Sequence, residues 1–228
     1  MTDLSGWTPP PLPPRSVFEG RFVTLEPLEH RHISGLWAAH QGADHVWDYI
    51  PVGPFETEAA LGAWVDHVRI SPDPLQFAAR LADGRVAGTL SLLRINPAAG
   101  SIEVGFIVFT PLMQRSPAST EAVYLLMRWA FEAGYRRFEW KCNAANLPSR
   151  RAAERFGLSY EGIFRQADVV KGKNRDTAWY AAIDAEWPDL ERAFEAWLDP
   201  GDFDVDGTQF SRLSSLTRPI LVTADPTL

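Results

Sequence analysis

Glu103 is the residue whose surroundings most favour proton chemistry. It is the only charged residue in the run SIEVGFIVF, from Ser101 to Phe109, whose apolar, β-branched and aromatic residues predict a buried strand. A carboxylate in such a strand is costly to bury without a reason. Burial would raise its pKa toward neutrality, where it can accept a proton. The alternative is that Glu103 pairs with an arginine or faces outward.

The start of the next helix predicts an anion site. The segment from 112 to 135 has apolar residues at helical spacing, with Ser116 suited to the N-cap and Pro117 to the first helical position. Backbone amides in the first turn of a helix have no intrahelical acceptors, and the helix dipole is positive there. With the Arg115 guanidinium beside them, they suit a pyrophosphate. The predicted turn consists of Gln114, Arg115, Ser116, Ala118, Ser119 and Thr120.

A second polar motif follows the strand predicted from Arg136 to Cys142. The sequence NAANLPSRRAAERFG predicts a short helix with Asn146 at its N-cap and Gly157 just past its end. Together, QRSPASTEA and RRFEWKCNAANLPSRRAAERFGLSYEGIFRQ resemble the GNAT superfamily of N-acetyltransferases. Within it they resemble the RimJ/RimL-like branch, which acetylates protein N-termini and related amines. A weaker resemblance covers roughly residues 20 to 187.

The resemblance implies an α+β fold in which helices flank a mixed, mostly antiparallel central sheet. It implies direct transfer of an acetyl group from acetyl-CoA to an amine in a ternary complex. A neutral amine is the required nucleophile, so Glu103 would be the base that assists its deprotonation. Ser149 resembles the family's proton donor, or hydrogen-bond donor, to the leaving thiolate. Alternatively, Ser149 only caps its own helix.

The resemblance also assigns residues to the cofactor. Asn146 would contact the pantetheine arm, although helix capping explains this residue type without a ligand. The backbone of the predicted strand would bind the pantetheine amides by strand addition, unless it is a fully paired core strand. The strand residues concerned are Ile107, Val108 and Phe109.

The turn departs from the family pattern at two positions. The family usually has Gln/Arg-x-x-Gly-x-Gly/Ala, whereas this chain has Pro117 at the first glycine position and Ser119 at the Gly/Ala position. Pro117 removes one amide donor, and Ser119 adds a side chain. Because proline keeps the helical dihedral and the neighbouring amides remain, we still expect acetyl-CoA to bind. The alternative is a non-catalytic protein of the same fold that binds acyl-CoA or another small ligand.

The acceptor side is predicted by analogy with the family alone. Trp47, Asp48 and Tyr49, between the first two predicted helices, and Asp176 in the hairpin of residues 165 to 180 are expected to line it. Aromatic walls with carboxylates suit a cationic amine, carried by a small molecule or a peptide. The alternative for the aromatic residues is core packing.

Composition narrows the class of protein. With 228 residues and a net charge of −7, the chain is unsuited to a sequence-independent nucleic-acid surface. The single cysteine, Cys142, excludes an intramolecular disulfide, and the five histidines match no compact metal motif, so we expect no metal. No membrane-length apolar run or signal peptide is evident, and we expect a cytoplasmic protein without a membrane partner. A homodimer is left open.

The chain divides into three parts. Residues 1–19 are a proline-rich arm, 20–199 an acetyltransferase domain, and 200–228 an extension expected to pack on the surface or to be partly flexible. Periodicity predicts the order strand, two helices, three strands, helix, strand, helix and two strands.

Overall fold

A mixed β-sheet forms the centre of the fold. In the computed structural model, which describes residues 3–228, eight strands are hydrogen-bonded in the order β1-β2-β3-β4-β5-β6-β8-β7. The strands are β1 (Phe18–Glu19), β2 (Val23–Pro27), β3 (Leu75–Leu81), β4 (Val86–Asn96), β5 (Ser101–Phe109), β6 (Arg137–Asn143), β7 (Ser159–Val170) and β8 (Lys173–Ile183). Neighbouring strands are antiparallel, except that β5 and β6 run parallel.

Within residues 3–228, six α-helices surround this sheet. They are α1 (Ile33–His40), α2 (Glu58–Val68), α3 (Pro117–Glu132), α4 (Leu147–Arg155), α5 (Trp187–Leu198) and α6 (Leu213–Thr217). Helix α3 connects β5 to β6, because two adjacent parallel strands need a long crossover connection. In the described part of the chain, no helix has the length and apolar character needed to span a membrane.

The parallel strands β5 and β6 separate along their length. Residues 101–104 pair with residues 137–140, whereas β5 continues to Phe109 and β6 to Asn143. Each strand stays paired with its outer neighbour, β5 with β4 and β6 with β8. The inner edges of residues 105–109 and 141–143 therefore face a V-shaped gap, which we call the opening.

Side chains of β5 and β6 alternate between two environments. Ile102, Val104, Phe138 and Trp140 belong to the main core with α3 and α5. Because the side-chain period of a strand is two, Glu103 points to the opposite face. On that face, α1 and α2 form a smaller apolar cluster. The opening therefore lies between two differently packed faces.

The predicted fold class is confirmed, but the elements differ in detail. The helix predicted from His30 to His40 consists of a 3-10 turn (His30–His32) followed by α1. Helix α5 is absent from the predicted elements, although its apolar residues recur at helical spacing and are buried. Both terminal arms pack on the domain: Tyr135 Oη donates to the Pro11 carbonyl at 3.0 Å, and Leu213 is buried in the main core.

Glu121 joins α3 to the turn between β1 and β2. Its buried carboxylate accepts hydrogen bonds from the backbone amides of Arg21 at 2.8 Å, Phe22 at 2.6 Å and Val23 at 2.9 Å. A Cβ added at Gly20 would lie 2.4 Å from this carboxylate, so the glycine leaves room for it. The contact fixes the N-terminal part of α3 against the sheet.

We expect Glu121→Ala to lower the free energy of unfolding by about 3 kcal/mol, because three buried amides would lose a charged acceptor. Urea denaturation monitored by circular dichroism measures this change. Glu132→Ala is the control on the same helix: Glu132 is exposed and lies 3.8 Å from Arg128, so we expect a change of at most about 0.5 kcal/mol. Equal effects of the two substitutions would contradict the anchoring role.

Candidate active site

Glu103 lies where β5 and β6 begin to separate. The residue is only 2% exposed, and each carboxylate oxygen contacts a cation. Arg94 Nη1 donates to Oε1 at 2.7 Å, and Lys141 Nζ is 2.9 Å from Oε2. Glu103 therefore pairs with an arginine, as the alternative interpretation of the sequence predicts, and Lys141 adds a second positive charge.

These groups belong to a charged row that extends from β4 to β7. The row consists of Arg94, Glu103, Lys141, Glu139, Arg137 and Glu161. Opposite charges alternate along it, and Lys141 Nζ also lies 3.9 Å from the ring centre of Trp179. The central charges, on Glu103, Lys141 and Glu139, are the most buried of the row. Each of them depends on its neighbours, because an unpaired buried charge is strongly destabilising.

The two carboxylates beside Lys141 differ in their electrostatics. Burial raises the pKa of Glu103, against the opposing charges of Lys141 and Arg94. Burial acts upward on Glu139 as well, but hydrogen bonds from Lys141 and Arg137 outweigh it and lower the pKa of Glu139. Glu103 is therefore the carboxylate better suited to accept a proton near neutral pH.

Ser149 lies on the other face of the sheet, in the first turn of α4. Its Oγ accepts a hydrogen bond from the indole Nε1 of Trp140 at 3.0 Å. Trp140 is the last residue of β6 that pairs with β5. A serine hydroxyl carries one donor and can accept more than one hydrogen bond, so the Ser149 O–H remains available as a donor. Both candidate catalytic side chains thus border the start of the opening, one from each face.

Asn146 is the N-cap of α4. Its Oδ1 accepts from the Ser149 amide at 3.1 Å, as the capping alternative predicts. The amide nitrogen of Asn146 keeps its donor capacity for another group. The preceding loop is held at Ala144, whose amide donates to the Asp176 carbonyl at 2.8 Å and whose carbonyl accepts from Arg150 Nη1 at 2.9 Å.

The turn before α3 has the features of an anion site. Arg115 adopts a φ of +56°, and the N-cap Ser116 makes no side-chain cap hydrogen bond. Within residues 3–228, the backbone amides of Arg115, Ser116, Ala118 and Ser119 donate to no other residue. These donors and the positive helix end suit a phosphate group.

Two side chains of this turn are used within the protein. Gln114 Nε2 donates to the Phe109 carbonyl at 2.8 Å. Thr120 is buried, and its Oγ1 accepts from Arg155 Nη1 on α4 at 2.9 Å. The Thr120 side chain is therefore directed to α4, and the place of Thr120 in the phosphate turn stays a prediction.

The end of β5 is irregular. Phe106 has a φ of +47°, and the register with β4 shifts between Thr89 and Ser91, which places a bulge at residues 106–107. Val108 remains paired with Thr89. Ile107, Val108 and Phe109 nevertheless lie beyond the last pair with β6 and border the opening. The strand is thus paired on one side only, unlike the fully paired core strand that was the alternative.

The acceptor residues predicted by analogy differ in their exposure to solvent. Trp47 is only 2% exposed and packs against the rings of His40, Phe55 and Trp64. It is a core residue, as the core-packing alternative predicts, and it lines a cavity of about 230 Å³ beside α1 and α2, so its place on the acceptor side stays a prediction. Its carbonyl accepts from Lys171 Nζ at 2.9 Å.

Tyr49, Asp48 and Asp176 lie nearer the surface. Tyr49 is 39% exposed, and its Oη donates to the Ala145 carbonyl in the β6–α4 loop at 3.3 Å. Asp48 is exposed. Asp176 Oδ1 accepts from the Gln166 amide at 2.7 Å, a hydrogen bond that lowers the pKa of Asp176 and stabilises the β7–β8 hairpin. Tyr49 is thus tied to the opening, whereas Asp176 has a structural contact.

Three residues around the opening were not predicted from the sequence: Lys141, Arg94 and Trp140. Lys141 shares the phase of Glu139 on β6, and the period of two could have placed it on the charged face. Arg94 lies near the end of β4, and its contact with Glu103 depends on the register between β4 and β5. Trp140 gave no indication of its contact with Ser149, because a buried tryptophan in a strand is ordinary core.

Comparison with known proteins assigns the family. A model of the acetyltransferase (GNAT) domain matches residues 23–159, which is more than half of the chain. A GCN5-related N-acetyltransferase from Brucella melitensis is 49% identical and superposes with a TM-score of 0.92, covering 94% of this chain and 100% of its own. No curated protein matches the chain. The chain belongs to the acetyltransferase (GNAT) family.

Two further structures show how far the likeness extends. A protein assigned to the GNAT acetyltransferases from Chromobacterium violaceum is 38% identical with a TM-score of 0.78, covering 82% of this chain and 96% of its own. The microcin C7 self-immunity acetyltransferase MccE, solved in complex with acetyl-CoA and AMP, is 19% identical with a TM-score of 0.67. It covers 75% of this chain and 98% of its own and shows a common fold only.

We expect Lys141→Met to raise the pKa of Glu103 further. Of the two cations that oppose the effect of burial on this pKa, Lys141 has the larger effect. Carbon-13 NMR titration of the Glu103 carboxyl, assigned with Glu103→Gln, measures this pKa. Lys173→Met, at an exposed position, is the control and should leave it unchanged. A lower or unchanged value in Lys141→Met would show that the ion pair does not hold in solution.

Proposed function

We propose that this acetyltransferase transfers the acetyl group of acetyl-CoA to a primary amine, directly and in a ternary complex. The amine belongs to a protein N-terminus or a small molecule, as in the RimJ/RimL-like branch. One observation carries the proposal: Glu103 and Ser149 border the start of the opening from opposite faces of the sheet. A thioester in the opening would have a base on one side and a hydrogen-bond donor on the other.

The residues around the opening fit acetyl-CoA. The unpartnered amides of Arg115, Ser116, Ala118 and Ser119 would bind the pyrophosphate, assisted by the Arg115 guanidinium. The inner backbone edge of residues 107–109 would bind the pantetheine amides as an added strand. Asn146 Nδ2 is available to the same arm. When bound, acetyl-CoA supplies an activated acyl group.

Glu103 and Ser149 would carry out the proton transfer and the hydrogen bonding that the reaction needs. The acceptor arrives as an ammonium and must lose a proton before its nitrogen can attack the acyl carbon. Glu103 accepts that proton directly or through water, and its raised pKa suits this role. Ser149 donates a hydrogen bond to the departing thiolate, while Trp140 holds its oxygen in place.

The acceptor is proposed to approach beside Asp48 and Tyr49. Tyr49 is tied to the β6–α4 loop and exposes part of its ring, and the nearby Asp48 carboxylate is exposed. An aromatic ring and a carboxylate attract a cationic amine. The net charge of −7 favours the approach of such acceptors.

Release of CoA thiol with a panel of acceptors tests the activity. The panel contains N-terminal peptides, aminoacyl nucleotides, polyamines and aminoglycosides, and calorimetry measures acetyl-CoA binding in parallel. Thiol release that requires one class of acceptor supports the proposal and identifies that class. Binding without turnover would favour a non-catalytic acyl-CoA binding protein, and absence of binding would reject both.

We expect Glu103→Gln to lower kcat by about 10²- to 10⁴-fold, the usual contribution of a general base, with little change in the KM for acetyl-CoA. In the unaltered enzyme, kcat should fall as the pH drops through the pKa of Glu103, because a protonated carboxyl cannot accept a proton. Glu103→Gln should lose this decline. Glu161→Gln, at the exposed end of the charged row, is the control. An identical pH profile in Glu103→Gln would refute the base assignment.

A further inference from the structure

The C-terminal segment binds the helix that carries Ser149. The Val222 amide donates to Ser159 Oγ at 2.9 Å, and the Tyr160 amide donates to the Thr223 carbonyl at 2.9 Å. The Asp225 amide hydrogen-bonds Glu154 on α4. The C-terminal residues that make these contacts lie outside residues 23–159, the range of the family model. The last residues of the chain are thus part of the environment of α4.

Asp225 is the centre of this contact. It is 5% exposed, and its Oδ2 accepts from Arg150 Nε at 2.9 Å and from Tyr180 Oη at 2.6 Å, while Arg150 Nη2 forms a further ion pair with it. Burial acts to raise the pKa of Asp225, but the hydrogen bonds from Tyr180 and Arg150 outweigh it and lower the pKa. The carboxylate therefore stays ionised and paired in the interior.

Arg150 connects Asp225 to the loop between β6 and α4. It directly follows Ser149, and its third nitrogen, Nη1, donates to the Ala144 carbonyl at 2.9 Å. Ala144 belongs to the loop between β6 and the N-cap Asn146. One guanidinium thus joins the C-terminal segment to the loop and to the first turn of α4.

We infer that Asp225 is a positioning residue for Ser149, acting through Arg150. The inference rests on the proposed function, in which Ser149 serves the leaving thiolate. Without the carboxylate, the buried guanidinium would keep only neutral partners, which is unfavourable for a charge in the interior. Arg150 would then turn toward water and release the Ala144 carbonyl, and the first turn of α4 would shift. Small displacements of a positioned group reduce turnover strongly.

The kinetic test uses Asp225→Asn in the full chain. We expect kcat to fall by about 10- to 100-fold at a temperature where thermal melts show the variant fully folded. In the Ser149→Ala background the same substitution should change kcat little, because the group it positions is absent. Asp206→Asn removes the same charge from an exposed position of the extension and serves as control. Should Asp225→Asn fail to fold, Tyr180→Phe removes one donor to Asp225 and should give a smaller loss of the same kind.

A structural readout is independent of turnover. The Trp140 indole N–H donates to Ser149 Oγ, so its proton and nitrogen-15 resonances report the position of that hydroxyl. They can be assigned with Trp140→Phe. Asp225→Asn should shift them, and Asp206→Asn should not.

The outcomes separate the two proposals. An unshifted indole resonance in a folded Asp225→Asn variant, or equal losses of kcat with and without Ser149, would overturn the positioning role. If the unaltered enzyme turned over no acceptor, the proposed function would fail, while the indole shift would still decide whether Asp225 positions Ser149.

Discussion

The separation of β5 and β6 is the constraint on which the site depends. The pairing of the two strands ends at Val104 and Trp140. Beyond that point each strand stays paired with its outer neighbour, and the bulge at Phe106 changes the direction of β5. Backbone groups along the gap lose the partners that a continuous sheet would give, and buried backbone groups are almost always paired. An extended ligand with its own amides can complete the sheet there. The proposed cofactor site therefore depends on a parallel ladder that ends at Val104 and Trp140.

Three carboxylates are buried in the described part of the chain, and their partners explain their different roles. Glu121 accepts from three backbone amides, and Asp225 is held by a buried guanidinium and a buried hydroxyl. These partners are fixed by the fold. Glu103 differs, because the side chain of its partner Arg94 is 57% exposed and can move into water. Glu103 is thus the one carboxylate of the three with a partner that can leave for solvent, while Lys141 keeps its second partner, Glu139.

Local patterns predicted the parts of the site that are close in sequence. The strand around Glu103, the cap at Asn146 and the start of α3 all follow from residue types within a few positions. The partners could not be predicted in the same way: Lys141 reaches Glu103 only through the parallel register of β5 and β6, and Asp225 meets Arg150 across 75 residues. The burial of Trp47 likewise depends on how α1 and α2 pack, which no local pattern specifies.

The glycine-poor turn before α3 is compatible with an anion site for reasons visible in its geometry. Pro117 is the first residue of the helix, where its missing amide would have had no intrahelical acceptor, so helix formation costs nothing there. The left-handed position falls on Arg115, two residues earlier, and a glycine at 117 is not required for it. Ser119 donates its hydroxyl to the Ser116 carbonyl at 2.8 Å, which turns the added side chain back onto the helix end. Relative to the family pattern, Pro117 therefore removes one amide donor, and four backbone donors remain for the proposed anion.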